Sequence, residues 1–239
     1  MSVSLAAARE ALGRVVDPEL DRSLTELEFI ASLEVDDGAV TVAIRLPTYW
    51  CSPNLAYLMV GDARDALLAL PGARSVRVAL VDHFAGDRIT EAAAQGLSFQ
   101  EAFPTQADGE LGELRRTFRR KAFVVRQEPV LRAARAALGD DGAVRMALGD
   151  GAAPDWCDPA EWAEYLGRRR DLGMGDDPGA LAFTHADGDP LSAEGLADYV
   201  RLARSVRISL QANTEFCTGL LAARYDDGLH DWQTKEVVA

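Results

Sequence analysis

VTVAIRLPTYWCSPNLAYLM, residues 40–59, is the stretch that decides the fold. Val40, Val42, Ile44 and Leu46 alternate with Thr41 and Arg45, a period of two that places one apolar face on a strand. Pro47 to Pro53 interrupt the alternation as a loop. Pro53 suits the first position of a helix, where its missing N–H is no loss, and Ser52 is placed to cap it. From there Leu55, Leu58, Met59, Ala63, Ala66, Leu67 and Leu70 recur at helical spacing. A strand therefore feeds a helix through a short loop, and Cys51 sits in that loop.

Upstream, Asp36-Asp37-Gly38 reads as a hairpin turn joining this strand to an earlier one, in which Phe29, Ala31, Leu33 and Val35 share a face. Before it, Leu5, Ala8, Leu12, Val15 and Val16 predict a helix ending ahead of Asp17-Pro18. Downstream, Pro71-Gly72 stops the second helix, and Val76, Val78 and Leu80 form a third strand. The order over residues 1 to 85 is α-β-β-α-β, with Val40, Val42, Ile44, Leu58, Val76 and Val78 expected in the core.

Beyond Asp82 the pattern turns helical. Short helices are expected over 90–95 and 98–103, and 104–110 reads as a linker. A long helical region covers 110–138, with a break expected before Pro129. Asp158 caps a helix that runs to about residue 172 and has Pro159 at its first position. Ala180 to Thr184 reads as a short strand. A helix capped by Ser192 is lined by Leu196, Tyr199, Val200, Ala203 and Val206, and helical pattern continues to Tyr225. The expectation is an α/β (α+β) chain: a small domain over 1–104 and a mainly helical domain over 105–239, with a role in client recognition.

With 48% hydrophobic and 26% charged residues in 239, the chain has the composition of a globular protein. A net charge of −13 argues against nucleic acid as a partner, because phosphate recognition needs a positive surface. Arg115, Arg116, Arg119, Arg120, Lys121 and Arg126 interrupt the acidity. A solvated helix face is weighed there above a docking patch for an acidic partner. No apolar run has the length of a membrane span, and the first residues lack the basic-then-apolar pattern of a secretory leader. Cys51, Cys157 and Cys217 are widely spaced with no C-x-x-C pair, which excludes a self-contained zinc finger and suits reduced thiols in a cytoplasm. Arginine far outnumbers lysine, which is found only at Lys121 and Lys235. With the Ala and Gly content, this points to a GC-rich bacterial genome.

A thiolate is both nucleophile and metal ligand. A cysteine at a helix N-terminus faces unpaired N–H groups and the positive end of the helix dipole, and both favour that form. The bland alternative is a small buried hydrophobe. Two segments bear on the choice: Asp17-Pro18-Glu19-Leu20 after the first helix, and Thr48-Tyr49-Trp50-Cys51 before the second.

Together with Leu27-Glu28-Phe29-Ile30 and Val76-Arg77-Val78-Ala79-Leu80, these segments resemble the small metal–sulfur cluster assembly domains. That family includes the SufT and PaaD proteins and eukaryotic cytosolic relatives. The resemblance covers residues 4–82. Four positions depart from it: Glu28 stands where the family usually has Gly, Pro47 replaces Thr, Trp50 replaces a small residue, and Ser52 separates Cys51 from Pro53. The resemblance implies that Asp17 and Glu19 join Cys51 as ligands of iron or an iron–sulfur cluster held transiently, with Thr48 and Trp50 as supporting loop residues. So incomplete a site leaves further ligands to a second copy of the chain in a homodimer, to the client, or to Cys157, which also precedes a helix. Cys217, in mid-helix near Glu215, could also join Cys51, but core packing is weighed above that.

The implied role is a cytoplasmic, chaperone-like maturation factor for a client metalloenzyme, working with cluster-assembly proteins and not itself an enzyme. By analogy with the PaaD-like relatives, a bacterial oxygenase component is a plausible client. A metal-free adaptor is the main alternative. A cysteine-nucleophile enzyme ranks lower, because no His lies in either motif to serve as base.

Overall fold

A computed structural model describes residues 3–104 and 111–225. They form two compact units. One takes in the described residues up to Leu111 together with those from Asn213 onward, and the other spans Gly112–Ala212. This division differs from a split into 1–104 and 105–239, because the end of the last helix packs into the first unit. The expected linker lies almost wholly outside the described residues.

The first unit opens with helix α1 (Leu5–Leu12), whose Ser4 side chain accepts a hydrogen bond from the Ala7 N–H. A miniature hairpin of β1 (Val16–Asp17) and β2 (Arg22–Ser23) follows, unforeseen in a segment where only the end of a helix was legible. Strands β3 (Ile30–Asp36), β4 (Ala39–Arg45) and β5 (Ser75–Val81) form one sheet in the order β3-β4-β5. β3 and β4 are antiparallel across the Asp37-Gly38 turn. The crossover through helix α2 (Pro53–Leu68) makes β4 and β5 parallel.

Val40, Val42, Ile44, Leu58 and Val78 are buried as expected, and Val76 is half-buried against the same core. Register explains the shared face: Val40 pairs Val35 and Val76, and Val42 pairs Leu33 and Val78. The alternation expected through 29–35 holds only in part. A bulge between Ile30 and Ser32 shifts the register, so Ile30 pairs Ile44 and both Phe29 and Ile30 are buried.

After β5, helix α3 (Gly86–Gln95) is tied to the sheet by Thr90, whose Oγ1 accepts from the Leu80 N–H at 2.9 Å. The approach is close: a Cβ at Gly86 would stand 2.5 Å from the Leu80 carbonyl oxygen, so only glycine fits. A short helix α4 (Phe99–Ala102) starts with a capping box of Ser98 and Glu101.

Helix α5 (Leu111–Arg145) runs through Pro129 rather than breaking before it. The break falls at Gly139 (φ 71°), a left-handed conformation that glycine adopts at little cost. Helix α6 (Pro159–Asp171) is capped by Asp158, which accepts from the Ala160 and Glu161 amides. Residues 180–184 make only isolated bridges, Ala147 with Leu181 and Thr184 with Pro190, so no strand forms there. Helix α7 (Leu196–Arg224) begins one turn after Ser192, whose Oγ accepts from the Gly195 N–H. The second unit has its own core around Phe123, Leu131, Trp162, Tyr165 and Phe183. Among the described residues no helix is long and apolar enough to cross a membrane.

Candidate functional site

Because β4 and β5 are parallel neighbours, the segments leaving their carboxyl ends emerge side by side. In open α/β sheets this is where ligands bind. The first segment is the Leu46–Ser52 loop carrying Cys51, and the second is Asp82-His83-Phe84. A hydrogen bond from the Phe84 N–H to the Tyr49 carbonyl joins them at 3.1 Å.

Cys51 is a free, half-buried thiol. Its Sγ lies 3.3 Å from the Thr48 hydroxyl, and that hydroxyl also accepts from the Trp50 N–H at 3.2 Å. In the contact between hydroxyl and sulfur either atom can donate. Ser52 occupies the cap position of α2 but makes no capping hydrogen bond through its side chain, contrary to expectation. Its ψ of 123° is extended and the chain enters the helix directly at Pro53.

His83, two residues beyond β5, supports the loop through its backbone. Its Nε2 is 2.8 Å from the Cys51 carbonyl oxygen, and its Nδ1 accepts from the Ala85 N–H at 3.2 Å. The second bond makes Nε2 the protonated, donating nitrogen. Burial holds the imidazole below its ordinary pKa. Both ring nitrogens are engaged with backbone, so His83 fixes Cys51 in place and is not oriented as its base.

Around the thiol stands an aromatic lip. Tyr49, Trp50 and Phe84 are all exposed, Trp50 at 71%. The Trp50 ring is 5.0 Å from Tyr49 and 5.2 Å from Phe84, centroid to centroid. Trp50 and Tyr49 therefore do not pack into the core.

Asp17 is only 7% exposed. Its Oδ1 accepts from the Glu19 and Leu20 amides at 2.8 and 3.0 Å, which closes the β1–β2 turn. Burial outweighs those bonds and pushes its carboxyl up to about 6. Glu19, half-buried, is the more accessible of the two carboxylates. Among the described residues no group of three or more His, Cys, Asp or Glu side chains is gathered to hold a metal ion.

Cys157 belongs to the second unit, where it is 7% exposed in the core and its thiol is raised by burial and by Glu161 and Asp158. Cys217 packs against the core of the first unit. Burial foremost, and then the charges of Asp17, Cys51 and Glu19, raise its thiol to about 11. Phe84 could have been found, since it leaves the strand parallel to the one that feeds Cys51.

Residues 5–80 match the model of the family described as iron–sulfur cluster assembly protein. Curated relatives from Mycobacterium bovis and from two strains of Mycobacterium tuberculosis, each called an iron–sulfur cluster carrier protein, are 42% identical over 76 residues. The match covers 31% of this chain and 19% of each relative, so the chain spans about a fifth of their length. No solved structure matches the chain. Over residues 5–80, about the N-terminal third, the chain is thus similar to the iron–sulfur cluster assembly family.

Proposed function

We propose that the protein is a carrier that holds iron or an iron–sulfur cluster transiently at Cys51 and delivers it to a client metalloenzyme. The observation that carries this reading is the state of Cys51: a half-buried thiol at the start of a helix with the Thr48 hydroxyl at 3.3 Å, its carbonyl pinned by His83, and no closed ligand set among the described residues. Stable clusters normally take four protein ligands. A carrier needs fewer, because it must let go.

In this reading Cys51 is the primary ligand and Glu19 an oxygen donor. Asp17 shapes the turn that presents Glu19, and Thr48 tunes the sulfur. The aromatic lip is where a partner docks, which explains why three large rings stay in water instead of joining the core. Missing ligands come from that partner or from a second copy of the chain. The setting is cytoplasmic, and a bacterial oxygenase component is the client class to try first.

The same exposed rings favour the adaptor reading, in which docking alone matters. Expression of the client with wild-type or Cys51→Ser protein separates the two. The carrier reading expects Cys51→Ser to fold normally yet leave the client without metal and inactive. Equal metal content and activity in both cases would sink it and leave the adaptor ahead. Turnover of a small substrate is not expected, since the nearby imidazole is committed to backbone.

A further inference from the structure

The last turn of α7 meets the first unit where its two site loops begin. Arg224 donates to the Leu46 carbonyl oxygen at 3.4 Å and to the Asp82 carbonyl oxygen at 2.8 Å, across 178 and 142 positions of sequence. Leu46 is the first residue past β4 and Asp82 the first past β5, so one guanidinium spans the roots of the Cys51 loop and of Asp82-His83-Phe84. Beside it the Tyr225 ring faces two guanidiniums, Arg45 at 4.5 Å and Arg224 at 5.1 Å from its centroid. Arg45 is the last residue of β4 and is buried. The helix end does not depend on these bonds to dock, because Leu221 is buried in the apolar core. Arg224 itself is half-buried, and both of its bonds go to main chain at the site.

We propose that Arg224 is a positioning residue of the cargo site: by tying the ends of β4 and β5 together it fixes where Cys51 stands against His83 and the aromatic lip, and so how tightly the thiol holds its cargo. The inference rests on the carrier reading and deepens it. Arg224 acts through main chain and touches no sulfur. From its two carbonyls the placement passes outward through two more hydrogen bonds, the Phe84 N–H to the Tyr49 carbonyl oxygen and His83 Nε2 to the Cys51 carbonyl oxygen. Without the clasp both roots are freed at once, and the imidazole that pins Cys51 moves with its neighbour Asp82. A planar guanidinium suits the task, since its fork holds two acceptors in one geometry where a flexible ammonium does not. A ligand ordered in advance binds metal more tightly than one that must be ordered as the bond forms, which is what the partners behind a metal ligand supply.

The test compares the reduced full-length chain with Arg224→Met, which keeps the apolar stem and removes every donor, and Arg224→Lys, which keeps a charged donor without the fork. Anaerobic titration with Cd2+, read by thiolate-to-cadmium charge-transfer absorption, gives the affinity and the signal per bound ion separately. Arg224→Met is expected to weaken Cd2+ binding about tenfold at an unchanged signal per ion, with Arg224→Lys between it and wild type. Amide hydrogen exchange in Arg224→Met should quicken over residues 46–52 and 82–85 and keep wild-type rates in α1 and α2. Equal affinity in the three proteins would overturn the positioning role, whether or not the loops exchange faster. Faster exchange throughout the first unit would overturn it too, by making Arg224 a general support of the fold. If Arg224→Met does not fold, Arg224→Lys decides alone, and wild-type affinity there overturns the role. Cys51→Ser is the control: if it keeps the wild-type signal and affinity, the carrier reading itself fails, an outcome separate from any result at Arg224.

Discussion

The two units bury polar groups in opposite ways. In the second, Gln127 is fully buried and saturated: its Nε2 donates to Tyr165 Oη and the Thr184 carbonyl oxygen, and its Oε1 accepts from Tyr199. Tyr165 and Arg169 both donate to the Ala182 carbonyl oxygen. Glu128, with no exposure, is held by Arg207 at 2.7 Å and by Arg132 at 3.5 Å. The Gln127 part of this network is satisfied and fixes one packing, while Glu128 Oε1 and Arg169 Nε have no hydrogen-bond partner among the described residues. In the first unit buried Asp17 and His83 bond to backbone, His83 to the Cys51 carbonyl oxygen, while the Cys51 thiol stays half-buried and the aromatic lip exposed. Polarity buried in the core builds a scaffold. Polarity arranged around a half-buried sulfur builds a site.

Breaking the ion pair that holds Glu128 should have the largest effect. Arg207→Met strands the buried Glu128 carboxylate, leaving only the longer contact to the largely exposed Arg132. The expected loss is about 3 kcal/mol of stability in the second unit, read by denaturant unfolding. Iron uptake per folded chain should not change.

Asp17 sharpens the contrast, because its burial opposes stability at neutral pH. Its carboxyl protonates near pH 6 in the fold and near 3.8 when unfolded, so the folded chain binds more protons between those values. The stability it contributes is complete below about pH 3.8 and is lost as pH rises through about 6. Asp17→Asn keeps an acceptor for the Glu19 and Leu20 amides and removes the charge. It should raise stability at pH 8 by about 2 kcal/mol and flatten the pH profile between 4 and 6.

Glu28 gives a smaller effect. It holds φ 59°, in the left-handed region, at the position where the family usually has Gly. Glu28→Gly should stabilise the first unit by roughly 1 kcal/mol in thermal unfolding, as relief of strain outweighs the added freedom of the unfolded chain. The smallest effect belongs to Trp50→Ala, which should shift stability by less than about 0.5 kcal/mol at so exposed a position. Delivery to the client should nonetheless slow. If Trp50→Ala unfolds the unit instead, the lip is part of the core and the contrast between the units fails.

Much of the first unit was legible because its signals are local. Period-two runs set the faces of β4 and β5, and Pro53 marked the start of α2. The bulge at Ile30/Ser32 was not, since one inserted residue leaves the composition of a strand intact. Pro129 read as a break, yet α5 tolerates it and yields at Gly139. Helical periodicity records which face is apolar and not which core it meets. The return of residues 213–225 to the first unit, with Cys217 and Arg224, was therefore invisible. Cys51 was legible because its chemistry lies in a loop at the start of a helix, where neighbours in sequence are neighbours in space.

The central claim is that Cys51 holds the cargo. Anaerobic reconstitution of the reduced full-length chain with ferrous iron and sulfide, followed by assay of bound iron and acid-labile sulfide, tests it most directly. The account predicts that wild-type protein retains iron and sulfide and that Cys51→Ser, with an unchanged circular dichroism spectrum, retains little of either. Equal iron and sulfide on the two proteins would contradict it.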